Sequence, residues 1–103
     1  MDDNLTAAFA KALAHPTRLH ILRLLASQTE CRGADVFSEL PLAQSTISGH
    51  LRILKHAELI SSRPEISGNG TVYCLNPRAF DDFIAAVSGI AAAASICNPS
   101  GRC

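Results

Sequence analysis

The sequence predicts a mainly α domain with a small β-hairpin. Apolar residues recur at helical spacing through most of the chain, whereas residues 59–75 switch to two short extended runs around a Gly- and Asn-containing turn. Aromatic residues make up only 5% of the chain against 48% apolar residues, and Trp is absent, so the core is expected to be Leu, Ile, Val and Ala on packed helices. At 103 residues the chain suits one core. Residues 1–96 are expected to form the domain and residues 97–103 a cysteine-containing tail.

Leu5, Ala8, Phe9, Ala12 and Leu13 define a first helix that stops before Pro16. Pro16 suits the first turn of a second helix reaching Ala26, because the proline lacks only an N–H that a helix start leaves unused. A short third helix is expected from Gly33 or Ala34 to Leu40, with Val36, Phe37 and Leu40 inward. Pro41 and Leu42 make a tight connection to a fourth helix that ends near Glu58. Residues 59–66 and 71–75 then read as a two-stranded hairpin closed by SGNG at 67–70. From Asn76 and Pro77 a last helix runs to about Ser95, apolar over much of its circumference through Phe80, Phe83, Ile84, Val87 and Ile90. So small a domain cannot cover that face alone, which predicts a homodimer through the first and last helices.

The segment LPLAQSTISGHLRILK at 40–55 carries the functional signal. Ile47, Leu51 and Leu54 stand at i, i+4 and i+7 and suit a core, while the opposite face offers short hydroxyl, amide and imidazole side chains. Short polar side chains let a helix approach base edges, and the helix start attracts phosphate. With the preceding turn this is a helix-turn-helix, and the hairpin after it is a wing whose tip, with Arg63, Ser67, Asn69 and Thr71, can reach phosphates or the minor groove. Double-stranded DNA is the expected partner.

Nine basic and nine acidic residues cancel over the whole chain, but residues 41–78 carry Arg52, Lys55, Arg63 and Arg78 against Glu58 and Glu65, four minus two. A dimer doubles this modest positive field, and few phosphate contacts per subunit are expected. The chain shows no CxxC, no phosphate loop and no paired carboxylates suited to a cleft, since Asp81 and Asp82 are neighbours that point apart on a helix; an enzyme is not expected. No apolar run is long enough to span a membrane and MDDNL does not resemble a leader, so the expected location is cytoplasmic. There, four cysteines are expected to serve metal binding or redox sensing rather than structural disulfides.

The element order, together with HPTRLHILRLL at 15–25, STISGHLRILKHAELI at 45–60 and TVYCLN at 71–76, resembles the ArsR/SmtB family of winged helix-turn-helix repressors over almost the whole chain. The resemblance implies a homodimer that represses a metal- or metalloid-resistance operon and leaves DNA when its effector binds. It implies DNA contacts from Gln44, Ser45, Thr46, Ser48, Gly49 and His50 on the recognition helix, Arg18 on the second helix, and Arg63 and Asn69 on the wing. Ala43 departs from the family pattern, which often has a capping serine there, and Ser45 is the alternative cap.

The family's third-helix site, ELCVCDL, aligns with Glu30 to Val36 but finds Arg32 and Ala34 at its cysteine positions, and the last-helix zinc site lacks its histidine. There remains CNPSGRC at 97–103, where Pro99 stops the helix and Gly101 lets the chain turn back, so that Cys97 and Cys103 can converge on one soft ion. Similar tails in the family imply trivalent arsenic as inducer, as arsenite or methylarsenite, with antimonite also admissible. A third thiolate is open between Cys74 and Cys31; Cys74 also reads as a small buried hydrophobe. Alternatively, the cysteine pair is a redox or reactive-sulfur switch.

Overall fold

The computed structural model describes residues 1–27, 30–66, 68 and 70–94, with the backbone alone at positions 32, 34 and 35. The elements in order are α1 (Asp3–Leu13), α2 (Pro16–Ala26), β1 (Arg32–Gly33), a 3-10 turn (Ala34–Phe37), α3 (Gln44–His56), β2 (Ile60–Pro64), β3 (Thr71–Leu75) and α4 (Pro77–Ala94). Local chemistry sets most of the ends. The Asp2 carboxylate caps α1 by accepting from the Leu5 N–H at 2.8 Å, and Asp3 and Lys11 complement the dipole at its two ends. Pro16 opens α2 as expected, with His15 as its cap.

The C-terminus of α3 fixes where the wing begins. Glu58 takes the left-handed conformation, φ 67°, and its N–H donates to the Lys55 carbonyl while the Leu59 N–H donates to that of Leu54, both at 3.0 Å. This is a Schellman closure, and the apolar pair it brings together, Leu54 and Leu59, is fully buried. Asn76 clamps the same corner, donating its side-chain amide to the Glu58 carbonyl at 3.0 Å and its backbone N–H to that of Leu59 at 2.9 Å.

The expected hairpin is present and gains a third strand, whereas the expected third helix needs correction. The hairpin is part of a three-stranded antiparallel sheet, order β1-β3-β2, in which Arg32 faces Tyr73 and Gly33 faces Val72 on one side of β3, and Ile60 faces Leu75 on the other. A two-residue strand with no alternation leaves no periodic trace, and it exists only because β3 offers it a free edge. The third helix is shortened to the 3-10 turn. Its first residues are drawn into pairing with β3, and Pro41 disfavours helix immediately before it, leaving room for little more than the turn that buries Phe37. The hairpin itself closes with the Glu65 N–H on the Gly70 carbonyl at 3.0 Å.

One core joins the elements: Phe9 and Ala12 from α1, Ile21, Leu22 and Leu25 from α2, Phe37, then Ile47, Leu51 and Leu54 from α3, and Leu59 and Ile60 from the wing root. Helix α4 has no buried residue and docks through its first turns only, with Phe83 stacked on Phe9 at 4.5 Å and Phe80 edge-on to the same ring at 5.1 Å. Farther along, Ile84 is 59% and Ile90 70% exposed, so the expected uncovered apolar face is present. Because an L-residue is strained at a left-handed φ, Glu58→Gly is expected to stabilise the fold by about 1 kcal/mol, read as a higher urea midpoint at unchanged slope.

Candidate nucleic-acid interface

Helix α3 is built with two faces. Ile47, Leu51 and Leu54 are buried against α2 and the wing root, which turns Gln44, Ser45, Thr46 and Ser48 to the exterior and leaves Gly49 and His50 half-buried. Arg52 and Lys55 extend the exposed side toward the C-terminus, and Arg63 is exposed on β2. The six candidate groove-facing positions therefore lie together along the first two turns. The helix begins at Gln44 with Ala43 as its N-cap in extended conformation and without a side-chain hydrogen bond, so Ser45 does not cap it. At Gly49 an added Cβ would meet no atom within 4 Å.

Behind this face lies a cluster that sequence reasoning did not assemble. The Arg18 Nε donates to His50 Nδ1 at 3.2 Å, and its Nη1 donates to the Lys11 and Ala12 carbonyls at 3.3 and 3.4 Å. One guanidinium thus ties the end of α1 and the start of α2 to α3. His15 Nδ1 accepts from the Thr17 N–H at 3.1 Å as the cap of α2, and its ring lies 4.6 Å from that of His50. Because Nδ1 of each ring accepts, neutral His15 and His50 both carry their proton on Nε2. Burial, then the neighbouring His15, then the Arg18 cation, hold the His50 pKa below its ordinary value, so His50 is neutral at pH 7. The only sequence signal for the cluster was a histidine in the cap position before Pro16, and histidine is not among the usual capping residues.

Asn69 and Ser67 on the wing tip, and Cys97 and Cys103 in the tail, lie outside the described residues. Cys31 and Cys74 are brought together and joined as a disulfide with Cα atoms 4.6 Å apart, which corrects the expectation that disulfides would be absent. Bonded to each other, neither is a thiolate available as a third ligand to the tail. Among the described residues, no three His, Cys, Asp or Glu side chains are grouped to hold a metal ion, and no helix is long and apolar enough to cross a membrane.

A groove of about 980 Å³ runs between α1, the end of α3 and the start of α4. Leu5, Ala8, Ile53 and Ala57 give it an apolar lining, with Arg52 and Arg78 beside them.

Comparison with known proteins places these features. Residues 15–62, from His15 through α3 into β2, match the family described as bacterial regulatory protein, arsR family. The chain is 43% identical over 63 residues to an uncharacterised helix-turn-helix transcriptional regulator of Methanocaldococcus jannaschii, covering 61% of this chain and 71% of the relative. It is 38% identical over 74 residues to the transcriptional repressor SdpR of Bacillus subtilis, 72% of this chain and 79% of that one. An arsenical resistance operon repressor of Staphylococcus xylosus is 35% identical over 71 residues, 69% of this chain and 65% of the repressor. Among solved structures, Rv0081 of M. tuberculosis superposes with a TM-score of 0.63 at 30% identity, covering 89% and 91% of the two chains. The homodimeric winged helix-turn-helix DNA-binding domain from Mycobacterium bovis superposes with a TM-score of 0.65 at 26% identity, covering 93% and 91%.

Two outcomes follow from the helix start and the histidine cluster. Ala43→Ser supplies the missing cap and is expected to stabilise the fold by about 1 kcal/mol in urea unfolding. In an imidazole NMR titration His50 is expected to titrate below 6.5, and Arg18→Ala to move it back toward that value. Since the folded-state pKa lies below the unfolded one, the folded protein binds fewer protons. Stability is therefore unaffected by this group above pH 6.5 and is lost as the pH falls below it.

Proposed function

Because the chain belongs to the ArsR family of bacterial regulatory proteins, and is thus a transcription regulator rather than an enzyme, we propose that it acts as a cytoplasmic homodimeric repressor on double-stranded operator DNA. The observation that carries this reading is Gly49. A glycine inside a helix costs roughly 0.5–1 kcal/mol relative to alanine, and no neighbouring atom in the protomer requires its missing Cβ. The space is accounted for if another molecule must come close to the backbone there, between Ser48 and His50. Gln44, Ser45, Thr46 and Ser48 then meet base edges, His50 offers its Nε2–H, and Arg52, Lys55, Arg63 and Asn69 serve phosphates. Arg18 acts through His50, as the group that fixes its orientation and tautomer.

The dimer is formed through α1 and α4. In support, Leu5, Ile84, Val87 and Ile90 are exposed, Leu5 also lines the apolar groove, and the M. bovis structure is homodimeric. Two-fold symmetry then sets two copies of α3 roughly 34 Å apart, in successive major grooves. For the inducer, the reading is trivalent arsenic, arsenite or methylarsenite with antimonite as a related ligand, captured by Cys97 and Cys103. Its support is the tail spacing and the S. xylosus relative described as an arsenical resistance operon repressor. Tying the end of α4 changes the spacing of the two reading helices, and a coupling of about 1–3 kcal/mol weakens DNA binding about 5- to 150-fold. A thiol redox or reactive-sulfur response is the second reading, favoured by the joined Cys31 and Cys74.

The test is binding of the reduced protein to its own promoter DNA, titrated with arsenite and in parallel with methylarsenite. Stoichiometric release supports the metalloid reading, whereas release only by oxidants or polysulfide supports the second. Ser48→Ala with His50→Ala is expected to weaken promoter binding by at least ten-fold. Cys97→Ser with Cys103→Ser is expected to leave binding intact and to abolish release by arsenite.

A further inference from the structure

Cys31 and Cys74 are 43 positions apart in sequence and face each other across the outer pair of the sheet. The register Arg32 to Tyr73 and Gly33 to Val72 continues one step back to Cys31 opposite Cys74. Their Cα separation of 4.6 Å is that of a non-hydrogen-bonded antiparallel pair, the position at which side chains on one face stand closest. Cys31 is exposed and Cys74 half-buried, so the pair is reachable from solvent. Under reducing conditions this is a dithiol held in place by a strand pair, independently of the C-terminal tail.

Resting on the reading of the chain as a thiol-responsive regulator, we infer that the Cys31 and Cys74 pair is a second, two-thiolate binding site, and that its ligand is a monosubstituted trivalent arsenical. The donor set selects the ligand. Thiolates favour soft centres, and among the described residues no third His, Cys, Asp or Glu completes a group with the two sulfurs. Inorganic arsenite seeks three thiolates and is left one short here. A monosubstituted arsenical brings its own carbon as the third substituent and needs only two. The narrow register sets the two sulfurs side by side, as a pyramidal arsenic requires.

The chemistry balances without a change of oxidation state at arsenic. A dithiol reductant first converts the disulfide to two thiols and is itself oxidised to a disulfide. The two thiols then replace the two hydroxyls of R–As(OH)2, forming two As–S bonds and releasing two waters. The site also has a route to the reading helix. Tyr73, next to Cys74, packs its ring 5.9 Å from that of Phe37, the buried end of the 3-10 turn that leads into α3. A bridging atom between β1 and β3 acts on the strand pair that carries this contact.

The experiment uses the full chain with Cys97→Ser and Cys103→Ser, reduced with a phosphine and titrated with phenylarsine oxide, whose single oxygen leaves as water with the two thiol protons. Native mass spectrometry is expected to show one phenylarsenic per chain, with both remaining thiols lost to alkylation. Adding Cys31→Ser, or separately Cys74→Ser, is expected to weaken uptake at least ten-fold. Full alkylation of both thiols at equimolar probe, or equal uptake after either serine substitution, overturns the site. Promoter binding by the same reduced protein is measured alongside: uptake without DNA binding sinks the repressor reading and keeps the site, and DNA binding without uptake sinks the site alone.

Discussion

Burial of the inner face of α3 is the constraint on which the rest of the molecule depends. Ile47, Leu51 and Leu54 are driven against Ile21, Leu22 and Leu25 of α2, and at about 1.5–3 kcal/mol for each fully buried large side chain no other orientation of the helix competes. Rotating α3 by even a third of a turn would expose Leu54 and bury Ser48 or Gln44 without partners. The direction of the polar face is therefore set by the core, and side chains as short as serine and threonine hold fixed positions there because the helix beneath them cannot roll. The same burial places Leu54 beneath Leu59, which closes the helix and launches β2.

The polar interactions refine what the core has placed. Arg18 is half-buried, yet each of its hydrogen-bond partners is a group the fold already brings close: two carbonyls in the last turn of α1, of which that of Lys11 also accepts from the Ala14 N–H, and His50 across from α2. Its charge faces the negative end of the α1 dipole while its Nε orients an imidazole on the opposite helix. A neutral histidine with a fixed tautomer is a directional donor, which a freely titrating surface histidine is not. The cluster thereby connects packing among α1, α2 and α3 to the hydrogen-bonding character of the exposed side of α3.

Helix α4 stands apart from this logic. Its attachment through Phe80 and Phe83 to Phe9 fixes only its beginning, and its later turns present Ile84, Val87 and Ile90 outward. Such a face is costly in water for one chain and favourable between two. The division of labour follows the sequence: large aromatic residues where the helix meets its own core, and Gly89 and a run of exposed alanines along its later turns.

Much of this was legible because it is local. Pro16, Pro41 and SGNG punctuate the chain, the spacing of Ile47, Leu51 and Leu54 specifies a helix with one apolar side, and the apolar stretch after Pro77 announces a face with no cover in one protomer. The motifs at 15–25 and 45–60 that resemble the ArsR family lie within the segment 15–62 that matches it, and relatives above 30% identity extend the likeness. The tertiary structure alone decided what depends on distant segments meeting. The strand β1 exists because β3 has a free edge; Arg18 and His15 reach His50 because α2 packs across α3; and Cys31 stands opposite Cys74 because one register, out of several that two residues could adopt, is chosen by the burial of Phe37 beside Tyr73. Periodicity encodes which side of an element is apolar, but it does not encode which element that side will meet.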